Sequence, residues 1–273
     1  MSGPKLTALE VFKHTARTNC GECGLPNCMA FAAQVVQGLK KPADCPYIDL
    51  SFTDRIGGND DDRDLREENR AELILHDLAG AIEKVDFADA ARRLGGWIEG
   101  DRLALRCLGK IFELDVQGRL HSLCHINPWI HVSIIHYVLY GKGLDPVGEW
   151  TVFTQMKKAR DWERFFTYRC KGGFHRMADE DMELFLDVLE LFGAKIDNAN
   201  VEAEYSITLY PLPKVPFLFC YTPADGKFES SFNLLFDKTI EENLTAQGTY
   251  LLSQGIVEMV RKIMARHTHG TIV

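Results

Sequence analysis

A chain of 273 residues has room for one sizeable core and a small satellite unit. Its 46% apolar and 26% charged residues are those of an ordinary globular protein, and its longest apolar run, 126–140, is interrupted by His131 and His136, so no membrane span is expected. Up to Cys45 five basic residues face three acidic ones, a balance of +2 that leaves −10 on the rest of this −8 chain, and an acidic body argues against a nucleic-acid partner.

No basic-then-apolar leader opens the chain, so a cytoplasmic protein is expected, with its eight cysteines kept as thiols. Residues 6–14 place Leu6, Leu9 and Phe12 at helical spacing, with His14 at the surface end of that helix. The stretch that follows reads Cys20-Gly21-Glu22-Cys23-Gly24-Leu25-Pro26-Asn27-Cys28, then sixteen residues, then Cys45-Pro46. Three thiols crowded into nine residues and a fourth arriving from a distance is how a chain wraps a cubic iron–sulfur cluster. Zinc on four thiolates is the alternative, although zinc sites usually draw their ligands in two separated pairs.

Gly21 and Gly24 supply backbone freedom directly after two of the thiols, and Asn27 is placed to cap a helix from Cys28 to about Gln37, ended by Gly38. Phe31 and Val35 then face back toward the first helix. Two short helices cannot support a core alone, so the metal is expected to act as the staple.

Leu9-Glu10 through Phe12, Thr18-Asn19-Cys20-Gly21-Glu22-Cys23-Gly24 with Pro26 and Cys28, Ala30-Phe31-Ala32 and Cys45-Pro46 together resemble the four-cysteine domain of the corrinoid iron–sulfur protein large subunit. That subunit serves the carbon monoxide dehydrogenase/acetyl-CoA synthase pathway, and a similar domain occurs in the cluster-bearing subunit of Rnf-type electron-transfer complexes. The resemblance covers about fifty residues. It implies a [4Fe-4S] cluster on Cys20, Cys23, Cys28 and Cys45, engaged in low-potential electron transfer in an anaerobe. A corrinoid iron–sulfur subunit continues into a far longer chain, whereas the remainder here resembles an uncharacterised domain family often attached to this module.

Residues 51–66 are charged, glycine-containing and nearly without apolar side chains, which marks a linker between a module at 1–50 and an α+β domain at 67–273. The acidic run Asp60 to Asp62 reads as part of that solvated linker. The body opens with a helix over 66–84, burying Leu73, Ile74, Leu78, Ala81 and Ile82. A second over 87–94 ends at Gly95-Gly96. Residues 102–108 and 110–116 alternate around Gly109 as a β-hairpin.

Pro128 can open a helix to Tyr140, stopped by Gly141 and Gly143. Trp129 and His136 on it are the candidates for lining a cofactor pocket, His136 as an axial ligand of a tetrapyrrole-type metal. His131 lies about 140° around the helix from His136, so the two cannot chelate one ion. His121 and His125 are four apart but sit in strand end and loop. Cys107, Cys124, Cys170 and Cys220 have no ligand-like spacing and read as ordinary thiols.

A short strand at 149–153, a helix over 156–166 and an amphipathic helix over 179–192 follow. Alternation from Ala203 to Leu209, a turn at 211–214 and the run 215–221 form a second hairpin, expected in one sheet with the first. Asp237 reads as a helix cap, and a last helix spans 249–265.

The expected fold is therefore α+β: a small helical iron–sulfur module followed by an antiparallel sheet covered by helices. The expected function is one-electron transfer through the cluster to a redox partner, with cobalamin or a corrinoid protein as the acceptor that the resemblance suggests. The competing reading makes the body a binding or maturation module for a metalloprotein. No nucleotide-binding or hydrolase motif is present.

Overall fold

The computed structural model describes residues 7–37, 39–40, 42–49, 74–78, 80–124, 126–196 and 203–269. The chain divides into two compact units, Met1–Asn69 and Arg70–Val273. Leu6, Gly38, Leu73, His125 and the proposed linker at 51–66 lie outside the described residues.

In the first unit, α1 (Ala8–Lys13) starts two residues later than its apolar spacing suggests. Thr7 is the reason: it caps the helix, accepting from the Glu10 amide, while the Glu10 carboxylate takes the Thr7 amide at 2.9 Å. The inward stripe is Val11 with the partly buried Ala8 and Phe12, whereas Leu9, expected inside, is 57% exposed. α2 (Cys28–Val36) begins where Asn27 Oδ1 accepts from the Ala30 amide at 2.7 Å, and it sends Phe31 and Val35 inward as anticipated, with Ala32 beside them. Ile48 and Cys45 complete a core of six buried residues among those described, a small core for a unit of this size.

The second unit is α+β with two antiparallel sheets. Residues 74–78 and 80–82 are helical, and Ile82 is fully buried. Asp86 Oδ1 accepts from the Ala88 and Asp89 amides to start α3 (Phe87–Leu94), which ends at Gly95 as its sequence signals. α3 packs on the first sheet, β1 (Trp97–Glu99), β2 (Arg102–Cys107), β3 (Lys110–Leu114) and β4 (Leu120–His121), ordered β1-β2-β3-β4. Cys107 pairs with Lys110 across a two-residue turn, Leu108-Gly109, with both φ positive.

α4 (Pro128–Tyr140) is followed by β5 (Trp150–Val152). The helix expected over 156–166 is replaced by 3-10 turns at Phe153–Gln155 and Ala159–Asp161, because Lys158 sits in the left-handed region at φ 60. A turn at Glu163–Phe165 then runs through a π-helical stretch, Phe166–Lys171, into α5 (Gly172–Glu180). α6 (Met182–Leu191) is capped by Asp181 and buries Phe185, Val188 and Leu189.

The second sheet comprises β5, β6 (Lys195–Ile196), β7 (Tyr205–Leu212), β8 (Val215–Thr222) and β9 (Ser231–Asp237), in the order β5-β9-β8-β7-β6. The two hairpins thus belong to separate sheets rather than one. They touch where β2 meets β7, the Leu108 amide donating to the Pro211 carbonyl at 3.1 Å. β8 is central and buried along nearly its whole length, as its unbroken apolar sequence requires. Phe174 of α5 meets Phe219 of β8 edge to face at 5.0 Å.

After α7 (Ile240–Asn243) comes α8 (Ala246–His269), which packs along α4. Gly248 and Gly255, seven residues apart on α8, face His136 and Trp129-Ile130, which are seven and six apart on α4. A Cβ on Gly255 would stand 3.0 Å from Ile130 Cδ1 and 3.1 Å from Trp129 Cβ. The two notches let the antiparallel helices approach closely.

Candidate metal centre

The first unit bends residues 16–28 into a tight loop. Arg17, Asn19, Gly21 and Gly24 all have positive φ, and the Gly24 amide closes a turn onto the Gly21 carbonyl at 2.8 Å. Asn19 secures the far end: its Oδ1 accepts from the Cys28 amide at 2.9 Å, tying the residue before the first cysteine to the third. Cys45 enters from a 3-10 turn at Pro42–Asp44, its amide bonding to the Pro42 carbonyl. The Asp49 amide then returns to the His14 carbonyl at 2.8 Å, and His14 Nδ1 lies 3.3 Å from Asp49 Oδ2, so His14 anchors the chain's exit.

Cys28 and Cys45 are buried, Cys23 is half-buried and Cys20 is exposed. Burial pushes the Cys45 thiol up, the Tyr47 backbone draws it down, and Cys23, Cys28 and Cys20 push it up again by charge repulsion. Cys45 thus lies within electrostatic reach of the other three sulfurs. Among the described residues, no set of three or more cysteine, histidine or carboxylate side chains converges on the position of a single ion. The donor set fits a cluster chemically: four thiols, two of them walled by Val11, Phe31, Val35 and Ile48, with a curled loop on the solvent side.

Three side chains around the loop carried no role in the sequence. Lys40 Nζ donates to the Cys23 carbonyl at 3.2 Å, Tyr47 Oη donates to Glu22 Oε1 at 2.9 Å, and Asn19 braces Cys28. Asn19 was visible only as the residue before the first cysteine, and Lys40 as one lysine of a pair.

In the body, Trp129 and His136 are both 5% exposed and belong to the contact between α4 and α8. His136 stacks edge-on with Tyr140 at 5.2 Å, its Nδ1 lacks a hydrogen-bond partner, and burial lowers its pKa to about 4. His131 Nε2 instead bonds to the Gly118 carbonyl at 2.8 Å. His121, which ends β4, has its Nε2 2.9 Å from Asp115 Oδ2.

Cys107, Cys170 and Cys220 are buried, and burial raises all three thiols; Cys124 is exposed. Asp237 caps no helix: its Oδ2 accepts from the Val147 and Gly148 amides and its Oδ1 from Thr239, pinning a loop to the end of β9. A groove of about 560 Å³ lies over β2, β3 and β4, lined by Arg102, Arg106, Lys110, His121, Leu123 and Cys124 among others.

Residues 86–259 match the family described as "Domain of unknown function (DUF3786)", from the cap of α3 into α8. The chain belongs to the DUF3786 family. Ahead of the DUF3786 domain, residues 16–47 match the family described as "Putative Fe-S cluster", a span that contains all four cysteines of the loop and its return.

The similar curated proteins align with this N-terminal region. The corrinoid/iron-sulfur protein large subunit of Moorella thermoacetica is 46% identical over 43 residues, 16% of this chain and 10% of that protein. Subunit gamma 1 of the acetyl-CoA decarbonylase/synthase complex of Methanosarcina thermophila is 53% identical over 40 residues, 15% of this chain and 8% of that protein. Subunit gamma of that complex from Archaeoglobus fulgidus is 33% identical over 91 residues, 32% of this chain and 17% of that protein. The chain thus spans less than a fifth of each of these three relatives. No solved structure matches it. Among the described residues, no helix is long and apolar enough to cross a membrane.

Proposed function

We propose that Cys20, Cys23, Cys28 and Cys45 hold a [4Fe-4S] cluster and that the protein passes single low-potential electrons to a corrinoid or a corrinoid protein in anaerobic one-carbon metabolism. The observation that carries the reading is that all four cysteines of the loop and its return fall within one segment that matches an iron–sulfur family. The names of the relatives, a corrinoid/iron-sulfur subunit and subunits of an acetyl-CoA decarbonylase/synthase complex, point to the acceptor and to partnership with such a complex. Eight free cysteines suit the reducing cytoplasm.

Such a cluster supplies a one-electron couple whose potential is set by hydrogen bonding, charge and exposure around it. The chain's residues divide the remaining work. Cys45 packs with Phe31 and Ile48, and Cys28 is buried at the start of α2, so these two would hold the buried half while the loop braced by Asn19 would hold the outer half. Cys20, the exposed ligand, gives the edge at which a partner exchanges the electron.

A second reading makes the DUF3786 domain a recognition module for a metalloprotein. Two observations favour it: Trp129 and His136 are spent on the α4–α8 contact, and the groove over β2 to β4 opens on the surface. The test is anaerobic purification, quantification of iron, sulfide, zinc and cobalt, and visible spectra with and without cobalamin. About four irons and four sulfides per chain with a corrinoid spectrum that changes on mixing supports electron delivery. Iron without a corrinoid response favours the recognition module, and zinc alone removes the electron-transfer proposal.

A further inference from the structure

We propose that Lys40 and Glu22 are an opposed pair of charges that set the potential of the cluster site, Lys40 raising it and Glu22 lowering it. The inference rests on the reading that the four cysteines hold an iron–sulfur cluster, and it concerns the regulation of that same site.

Lys40 is fixed at both ends. The amides of Leu39 and Lys40 both donate to the Gln34 carbonyl, at 2.9 and 3.3 Å, which folds the chain back after α2. From there the half-buried side chain reaches across seventeen residues, and its ammonium donates to the Cys23 carbonyl at 3.2 Å. Ordering a lysine costs side-chain entropy, and a surface lysine with no task stays disordered in water. Here the charge is held on the main chain of the second ligand.

Glu22, the residue before that ligand, is held on the same loop by the Tyr47 hydroxyl at 2.9 Å, and Tyr47 lies two residues beyond the fourth ligand. Two other described charges of the unit are engaged elsewhere: the Glu10 carboxylate in the capping box of α1, and Arg17 over the Phe12 ring and on the Lys13 carbonyl. Lys40 and Glu22 are thus two opposite charges fastened on either side of the Cys23 main chain.

Reduction adds one negative charge to the site. A fixed cation nearby favours the reduced state and a fixed anion the oxidised state, more strongly where solvent is partly excluded. Lys40→Gln keeps a donor for the Cys23 carbonyl and removes the charge, and Glu22→Gln keeps an acceptor for Tyr47 and removes the charge.

The experiment is a redox titration of the anaerobically purified full chain, followed by electron paramagnetic resonance, on the wild type, Lys40→Gln, Lys40→Arg, Glu22→Gln and Lys13→Gln. Iron and sulfide content of the wild type is read first; their absence defeats the cluster reading itself and is distinct from any failure of Lys40. With the cluster present, Lys40→Gln is expected to lower the reduced-to-oxidised ratio at fixed poise about tenfold, which is 59 mV for a one-electron couple. Glu22→Gln is expected to shift it the opposite way, with Lys40→Arg and Lys13→Gln close to the wild type. Unchanged potentials in both glutamine variants overturn the proposal. Loss of iron in Lys40→Gln assigns Lys40 to assembly of the loop and overturns it equally.

Discussion

His136 offers the sharpest test of the body's packing. It is 5% exposed at the α4–α8 contact, its Nδ1 has no partner, and desolvation alone holds its pKa at about 4. The unfolded chain therefore takes a proton near pH 6.5 that the folded chain refuses until about pH 4, so stability falls as pH drops through that window and is unaffected above about pH 7. Between pH 7.5 and pH 5 the loss is about 2 kcal/mol from this one side chain.

His136→Leu removes both the titration and the orphaned nitrogen, so the variant is expected to match or slightly exceed the wild type at pH 7.5. At pH 5 it should be about 2 kcal/mol more stable than the wild type. His131, whose pKa burial also lowers, is common to both proteins and cancels. All four tryptophans lie in Arg70–Val273, so urea unfolding followed by tryptophan fluorescence reports this unit alone. If wild type and variant lose the same stability between pH 7.5 and pH 5, His136 is not buried neutral and the close α4–α8 contact is wrong.

The other expectations concern both units. Anaerobic removal of iron should melt the helices of Met1–Asn69, lowering the circular dichroism at 222 nm, while tryptophan fluorescence stays unchanged; a fluorescence change at the same chelator concentration would contradict separate stabilisation. Asn27→Ala should cost about 1 kcal/mol by leaving the Ala30 amide uncapped, lowering the temperature at which the visible cluster absorbance bleaches; an unchanged bleaching temperature counts against the cap. Gly255→Val should destabilise the body by about 1–3 kcal/mol by wedging α8 off Ile130 and Trp129. Gly80→Ala, which meets nothing within 4 Å in a helical segment, should gain up to about 1 kcal/mol, and urea midpoints of opposite sign for the two glycines check both.

What the sequence made legible was written within a few residues of itself. Asn27, Pro128 and Gly95 act on the turn next to them, so α2, α3 and α4 begin or end where those residues say. Distant partners were not legible. Asp237 looked like a cap because a cap is what an aspartate does locally, yet its Oδ2 is taken by amides some ninety residues earlier. The π-helical stretch was hidden because Phe166, Cys170 and Phe174 recur at a spacing that an ordinary helix also satisfies. Trp129 and His136 invited a cofactor because α4 is buried nearly all round and shows no solvent face; the glycines that receive them stand more than a hundred residues downstream.

The four-cysteine motif was legible for the opposite reason: three of its members share one loop, and the fourth is announced by Cys45-Pro46. Spacing alone does not say which half of the site faces water, and the fold supplies that. Cys28 starts a helix whose next turn buries Phe31, so it is drawn inward by the core, as is Cys45 between Pro42–Asp44 and Ile48. Cys20 has no such neighbour and stays exposed at the curled end of the loop. Burial of Cys28 and Cys45 and exposure of Cys20 put the two sides of the loop in different surroundings, and the proposed cluster would use the first for stabilisation and the second for electron exchange.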